Sequence, residues 1–221
     1  MAFNYSPKIL TDGLVMYLDA ANRSSYLGSG TTWSDISRGG NNGTLINGPT
    51  FNSANGGSIV CDGVDDYILQ TTPTLTTFSL EVIYSPLVFD SNSGTNRYNY
   101  IIGSFEANMF MRYNTNSSGN SILLANHAGS DINIGSLNHQ TGSIYVAVIT
   151  FNDSNKSTNV YFNSVLTTTT TYNATLRYQG SRQLGATFNS RFYSYKVYNR
   201  VLSATEVRQN YNATKTRFGL I

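Results

Sequence analysis

Residues 144–151 read Ile144-Tyr145-Val146-Ala147-Val148-Ile149-Thr150-Phe151, a run with scarcely a polar side chain. It is short, β-branched and aromatic, and it is nearly apolar throughout. A strand covered on both faces has that signature. Residues 152–157 supply the turn chemistry of a hairpin into a second strand at 159–162. The threonine-rich run 165–171 suits an edge, because Thr is β-branched yet polar. Upstream, Phe78-Ser79-Leu80-Glu81-Val82-Ile83-Tyr84 alternates with period two and sets Phe78, Leu80, Val82 and Tyr84 on one face. Pro86 then removes a ladder donor and closes that strand.

Further strands are expected at 14–18, 43–46, 58–61, 67–69, 100–103, 109–113, 121–125 and 191–198, separated by Gly, Asn and Ser turns. One helix is expected, from Ala204 to about residue 212. Ser203 and Glu206 have the spacing of a capping box, and Leu202 with Val207 that of a hydrophobic staple. No linker or internal repeat divides the chain, so 1–221 reads as one domain. The predicted class is all-β: a two-sheet antiparallel sandwich with one short C-terminal helix.

Composition narrows the function. Charged residues make up only 12% of the 221, against roughly 25% in ordinary globular proteins, and the net charge is +2. Solubility must rest on Asn, Ser, Thr and Gly, a surface common in extracellular and virion β proteins. No basic cluster interleaves with aromatics, which argues against nucleic acid. Cys61 stands alone and forms no intrachain disulfide, so it is expected as a small buried hydrophobe. Residues 1–8 lack a charged start followed by an apolar core, and no apolar run reaches about 18 residues. The expectation is a chain made in the cytoplasm without a signal peptide or membrane insertion.

Four segments in order resemble the laminin G-like, concanavalin A-like jelly-roll family. The first is Gly13-Leu14-Val15-Met16-Tyr17-Leu18-Asp19 with Trp33-Ser34-Asp35 and Gly40-Asn41-Asn42-Gly43-Thr44-Leu45. The second is Val60-Cys61-Asp62-Gly63-Val64-Asp65-Asp66-Tyr67-Ile68, and the third is Phe78-Ser79-Leu80-Glu81-Val82, which lacks the family's tryptophan. The fourth is Tyr198-Asn199-Arg200-Val201-Leu202-Ser203-Ala204-Thr205-Glu206-Val207. The match sets a core at 13–211 with extensions at 1–12 and 212–221. The combination of Gly30-Thr31-Thr32-Trp33, Asn52-Ser53-Ala54-Asn55-Gly56-Gly57 and the closing Arg217-Phe218-Gly219 looks most like the stand-alone versions in tailed, particularly marine, phages. The resemblance therefore implies a non-enzymatic virion structural protein: a head decoration, fibre or tail component that contacts other virion proteins and itself. The alternative is a carbohydrate-binding adhesin for a host surface glycan.

The residues carrying the resemblance read as structural. Asp62, Gly63, Asp65, Asp66 and Tyr67 form a tight corner, with Asp accepting main-chain amides. Asn199 and Arg200 are expected to tie the helix, capped by Ser203 and Glu206, to the sheet. Relatives of this jelly roll include glycoside hydrolases, which need two carboxylates roughly 5–10 Å apart. The chain has three glutamates, Glu81, Glu106 and Glu206, and none has an acidic partner at the right spacing. A polysaccharide hydrolase is thereby disfavoured. His127 and His139 lie in Asn/Ser/Gly-rich surroundings and read as loop or strand-end residues rather than bases beside a nucleophile. No cofactor is expected beyond a calcium ion that the resemblance implies at one rim. The candidate ligands are Glu106 and Asn108, with Asp131 or Asp153 nearby, and an ordinary polar loop is the alternative. Tyr98, Tyr100, Tyr113 and Tyr178 are candidates for stacking on sugar. The apolar termini (Phe3, Tyr5, Ile9, Phe218, Leu220, Ile221) are expected to dock on a neighbour or to pair across the domain's own edge.

Overall fold

A computed structural model of the chain describes residues 7–89, 99–103, 109–116, 119–126, 131–136, 139–171, 178 and 181–220. In chain order the elements are β1 (Leu14–Asp19), β2 (Thr32–Trp33), β3 (Gly43–Ile46), β4 (Thr50–Asn52), β5 (Ser58–Asp62) and β6 (Tyr67–Thr71). They continue with β7 (Phe78–Pro86), β8 (Asn99–Ile102), β9 (Met109–Asn116), β10 (Gly119–Asn126), β11 (Asp131–Ser136) and β12 (Tyr145–Asn152). The chain closes with β13 (Ser157–Phe162), β14 (Val165–Thr171), β15 (Ser181–Leu184), β16 (Asn189–Tyr198) and α1 (Ala204–Phe218). A single 3₁₀ turn, Ala54–Gly56, separates β4 from β5.

Every pairing between these strands is antiparallel, and they form two eight-stranded sheets. The first runs β14-β13-β12-β7-β16-β5-β4, with β1 alongside β16, and the second β11-β10-β9-β8-β15-β6-β3-β2. The sandwich expected from the sequence is therefore present. Phe78, Leu80, Val82 and Tyr84 all point between the sheets, joining Ile149, Phe151, Tyr195 and Val197 in the main core. Cys61 is buried there too.

The opposite face of β7, β12 and β16 is also covered. Ile83, Val146, Val148, Tyr193 and Tyr198 meet Leu202, Val207, Tyr211 and Phe218 of the helical segment in a second apolar cluster. That explains why β12 is apolar on both faces: one serves the sandwich, the other seats α1. β14 is an edge strand, as its threonines suggested.

One expectation needs correction. α1 does not stop near residue 212 but continues to Phe218, where Gly219 adopts the left-handed conformation (φ 63°) and its N–H closes the helix on Lys215 and Thr216 carbonyls. Residues 212–218 are thus nearly two integral turns of packed helix, with Thr214 and Phe218 buried, and not an extension. Of the two arrangements expected for the apolar ends, the described part of the N-terminal run shows docking within the domain. Leu10 packs on the second cluster, its N–H donates to Asn210 Oδ1 (3.0 Å), and its carbonyl accepts from the Tyr198 hydroxyl (3.2 Å). Phe218 and Leu220 meet the same cluster, so the described parts of the two ends pair across the domain itself. Phe3, Tyr5 and Ile221 lie outside the described residues.

Candidate functional site

The corner between β5 and β6 is closed by carboxylates that accept main-chain amides. Asp62 Oδ1 accepts the Val64 amide at 2.8 Å, and Asp66 Oδ2 accepts the Asp62 amide at 3.2 Å. Gly63 sits at φ 81°, where a Cβ would come within 2.6 Å of Asn189 N, so the corner demands glycine. The main-chain amides it accepts, Val64 foremost, hold the Asp62 carboxyl below its usual range, whereas burial pushes Asp66 up. Oxygens of Asp62, Asp65 and Asp66 come within 4.8 Å of one another, but Asp62 and Asp66 already serve the turn. Tyr67 begins β6 directly after this corner.

At the helix entrance the capping box is complete: Ser203 Oγ accepts the Glu206 amide and Glu206 Oε2 accepts the Ser203 amide. Arg200 donates to Glu206 Oε1 at 2.8 Å and pairs with Asp12, while the Asn199 amide donates to the Gly13 carbonyl. The Arg200 guanidinium holds the Glu206 carboxyl down at about 2.

Beneath α1 lies a polar network that sequence reading missed. Glu81 and Lys196 are direct cross-strand partners on β7 and β16, and Lys196 Nζ meets Glu81 Oε1 at 2.5 Å with both side chains fully buried. Asn210 of α1 donates to Glu81 Oε2 (3.0 Å) and to the Tyr198 hydroxyl (2.9 Å). At the far end of the helix Arg217 clasps both oxygens of Asp19 at 2.7 Å. Burial raises Asp19, but the Arg217 guanidinium outweighs it and holds the carboxyl low. Two of the three glutamates are therefore fully engaged, Glu81 in a buried pair and Glu206 as a cap.

The sequence-nominated ligand contacts fare differently. Glu106 and Asn108, the calcium candidates, lie outside the described residues, as do Tyr98 and His127. Asp131 begins β11, and Asp153 pairs with Lys156 in the β12–β13 hairpin. Tyr100, Tyr113 and Tyr178 are buried and present no face to a sugar; Tyr113 and Tyr178 belong to the main core. Tyr178 instead shares a hydrogen bond with the Tyr195 hydroxyl at 2.8 Å. His139 does sit in a loop, but buried rather than exposed. Its ring stacks on Tyr145 at 3.9 Å, and Nδ1 bonds the Tyr113 hydroxyl, which in turn meets the Tyr84 hydroxyl at 2.6 Å. Desolvation lowers its pKa to about 4, so it is a neutral packing residue.

Among the described residues, an open surface that combines polar and apolar contacts lies elsewhere, on the turn-rich segment after β1. That segment is stitched from within. The Ser25 hydroxyl donates to the Ser34 carbonyl (2.6 Å) and accepts the Asp19 amide (3.0 Å). The Tyr26 hydroxyl donates to the Gly30 carbonyl (2.8 Å), and its ring leans on Phe51. With Ser25 and Tyr26 turned inward, Arg23, Ser24, Ser29, Thr31 and Thr32 are left exposed, and Leu27 is 73% exposed. They line a cleft of about 410 Å³. A second cleft, of about 210 Å³, opens on the other side of Arg23 and Leu27, against Phe51 and Gly57. Neither is lined by a carboxylate. The sequence signal was faint: one arginine among uncharged turn residues.

No protein-family model matches the chain, and no curated protein matches it either. Solved structures do share its fold. Trypanosoma rangeli sialidase in complex with 2,3-difluorosialic acid aligns at 16% identity with a TM-score of 0.67, covering 98% of this chain and 36% of the sialidase. The binding domain of Paraclostridial Mosquitocidal Protein 1 aligns at 13% identity and TM-score 0.70, covering 92% of this chain and 52% of that one. A point variant of HCR/D aligns at 12% identity and TM-score 0.71, covering 93% and 52%. The chain thus spans about a third of the sialidase and about half of the other two. At such identities the likeness establishes the sandwich fold and nothing finer.

Proposed function

We propose that this chain is a non-catalytic carbohydrate-binding module whose ligand contacts lie in the clefts around Arg23 and Leu27. The observation that carries the reading is the stitched loop. It spends Ser25 and Tyr26 on its own structure and holds a guanidinium, exposed hydroxyls and one apolar side chain outward, the mixed chemistry a sugar needs. Fold-level analogy supports it: the neighbours include a sialidase holding a sialic-acid derivative and a toxin's binding domain. The engagement of Glu81 and Glu206 supports the absence of catalysis, because neither is available as acid or base. We therefore put glycan recognition ahead of the virion role that the sequence resemblance implies. A glycan array probed with the labelled chain, followed by incubation with each ligand bound, tests it. Binding without product is expected; turnover of any bound glycan, or an empty array, overturns it.

The virion reading keeps one supporting feature. β14 is an edge with no proline and no charge, and Val165 and Leu166 on it are 67% and 50% exposed, which leaves a strand able to pair with another chain. Stoichiometric copies in purified phage particles are its expected outcome, and absence from them contradicts it.

A further inference from the structure

We infer that the glycan held in this loop cleft is acidic, a sugar carboxylate paired with the Arg23 guanidinium; the inference rests on the glycan-binding reading above. Charge is scarce in this chain, and of the exposed cations without an ion-pair partner among the described residues, Lys8, Arg23, Arg38 and Arg208, Arg23 is the one that lines these clefts. Arg200 is satisfied by Asp12 and Glu206, Arg217 by Asp19, Lys196 by Glu81 and Lys156 by Asp153. Arg23 is exposed and has no ion-pair or hydrogen-bond partner among the described residues, although it lies only four positions from Asp19. Asp19 is directed away from it, both oxygens being held by Arg217 and one also by the Tyr17 hydroxyl. The positive charge over the clefts is therefore uncompensated by any lining group.

The setting suits a carboxylate better than a neutral ring. A guanidinium is planar and presents paired donors that match the two oxygens of a carboxylate. Ser24, Ser29, Thr31 and Thr32 stand beside it with exposed hydroxyls for the remaining ring oxygens. Leu27 gives the apolar ring face a wall on which to rest. The backbone bonds from Ser25 to Asn22 (2.7 Å) and from Ser34 to Ser25 (2.7 Å) fix the loop beforehand, so little ordering is needed on binding.

The experiment is calorimetric titration of the full chain with sialyllactose, with an oligogalacturonate and with lactose, repeated on Arg23→Gln and Arg23→Lys. A carboxylated ligand is expected to bind the parent chain about tenfold more tightly than lactose. Arg23→Gln should abolish that difference, and Arg23→Lys should retain part of it through charge without the fork. Binding of both acidic ligands identifies the carboxylate itself as the determinant; binding of one alone identifies which sugar carries it. Lactose binding equal to that of sialyllactose and indifferent to Arg23→Gln overturns the inference while leaving glycan binding intact. Failure of all three ligands together with a blank glycan array removes the parent reading as well. Unchanged thermal midpoints in both variants establish that the exposed substitution left the fold alone.

Discussion

The Lys196–Glu81 pair sits where a sheet would ordinarily carry two apolar residues, and its energetics follow from its isolation. Each charge is stabilised chiefly by the other, with Asn210 completing the carboxylate and the Tyr17 ring lying 5.0 Å from Lys196 Nζ. Lys196→Met would strand Glu81 as a buried charge and is expected to cost about 3–5 kcal/mol in urea unfolding. The double variant Glu81→Leu, Lys196→Met should recover much of that loss; a double variant as unstable as the single would contradict the account. His139 gives a second residue-scale prediction. Its folded pKa of about 4 lies below the ordinary value near 6.5, so the unfolded chain takes up a proton that the native state refuses. Stability is therefore full above about pH 6.5 and falls as pH drops toward 4, by on the order of 3 kcal/mol at most. Urea midpoints measured across that window should show the slope, and His139→Gln should remove it. Neither behaviour was legible in the sequence. Glu81 and Lys196 are 115 positions apart and meet only through the β7–β16 register. His139 and the tyrosines stood among similar residues, with nothing local to mark burial.

At the scale of elements the helix shows what local reading can and cannot reach. Ser203, Glu206, Leu202 and Val207 announced its start because capping and stapling are local chemistry. Its end was misplaced because Asn212, Ala213, Thr214, Lys215 and Thr216 have no strong apolar periodicity, and Thr214 returns its hydroxyl to the Asn210 and Tyr211 carbonyls. What keeps the last turns helical is tertiary: Phe218 on Tyr193 at 5.2 Å and Arg217 on Asp19. Ser203→Ala should destabilise the protein by about 1 kcal/mol, the usual worth of an N-cap, read as a lower thermal midpoint with an unchanged fold. No change at all would mean that Arg200 and Glu206 hold the helix entrance without the cap. The strands divide in the same way. β7 and β12 were plain from alternation and apolarity, whereas β2, β4, β11 and β15 were missed. They are short or rich in turn residues, and they exist because a neighbouring strand offers them a ladder.

For the whole molecule, the sandwich was readable because strand faces are written in period two, but the order of its strands was not. The pairing of β16 with β1, β5 and β7 joins segments from opposite ends of the chain, which no local pattern encodes. The binding surface was harder still. Aromatic rings are the obvious sugar platforms in this sequence, yet the fold buries Tyr100, Tyr113 and Tyr178; the open loop at the clefts is marked by Arg23 and Leu27. That loop is tied to β1 by Ser25 and Asp19, and through Arg217 to the far end of α1, so the clefts sit on a braced part of the molecule. The property that matters most is where a sugar touches this chain. Titrating sialyllactose into ¹⁵N-labelled protein and following amide shifts should move resonances of residues 22–34 and leave those around His139 and Tyr145 in place. Shifts confined to the His139 end, or no shifts with any glycan, would contradict it.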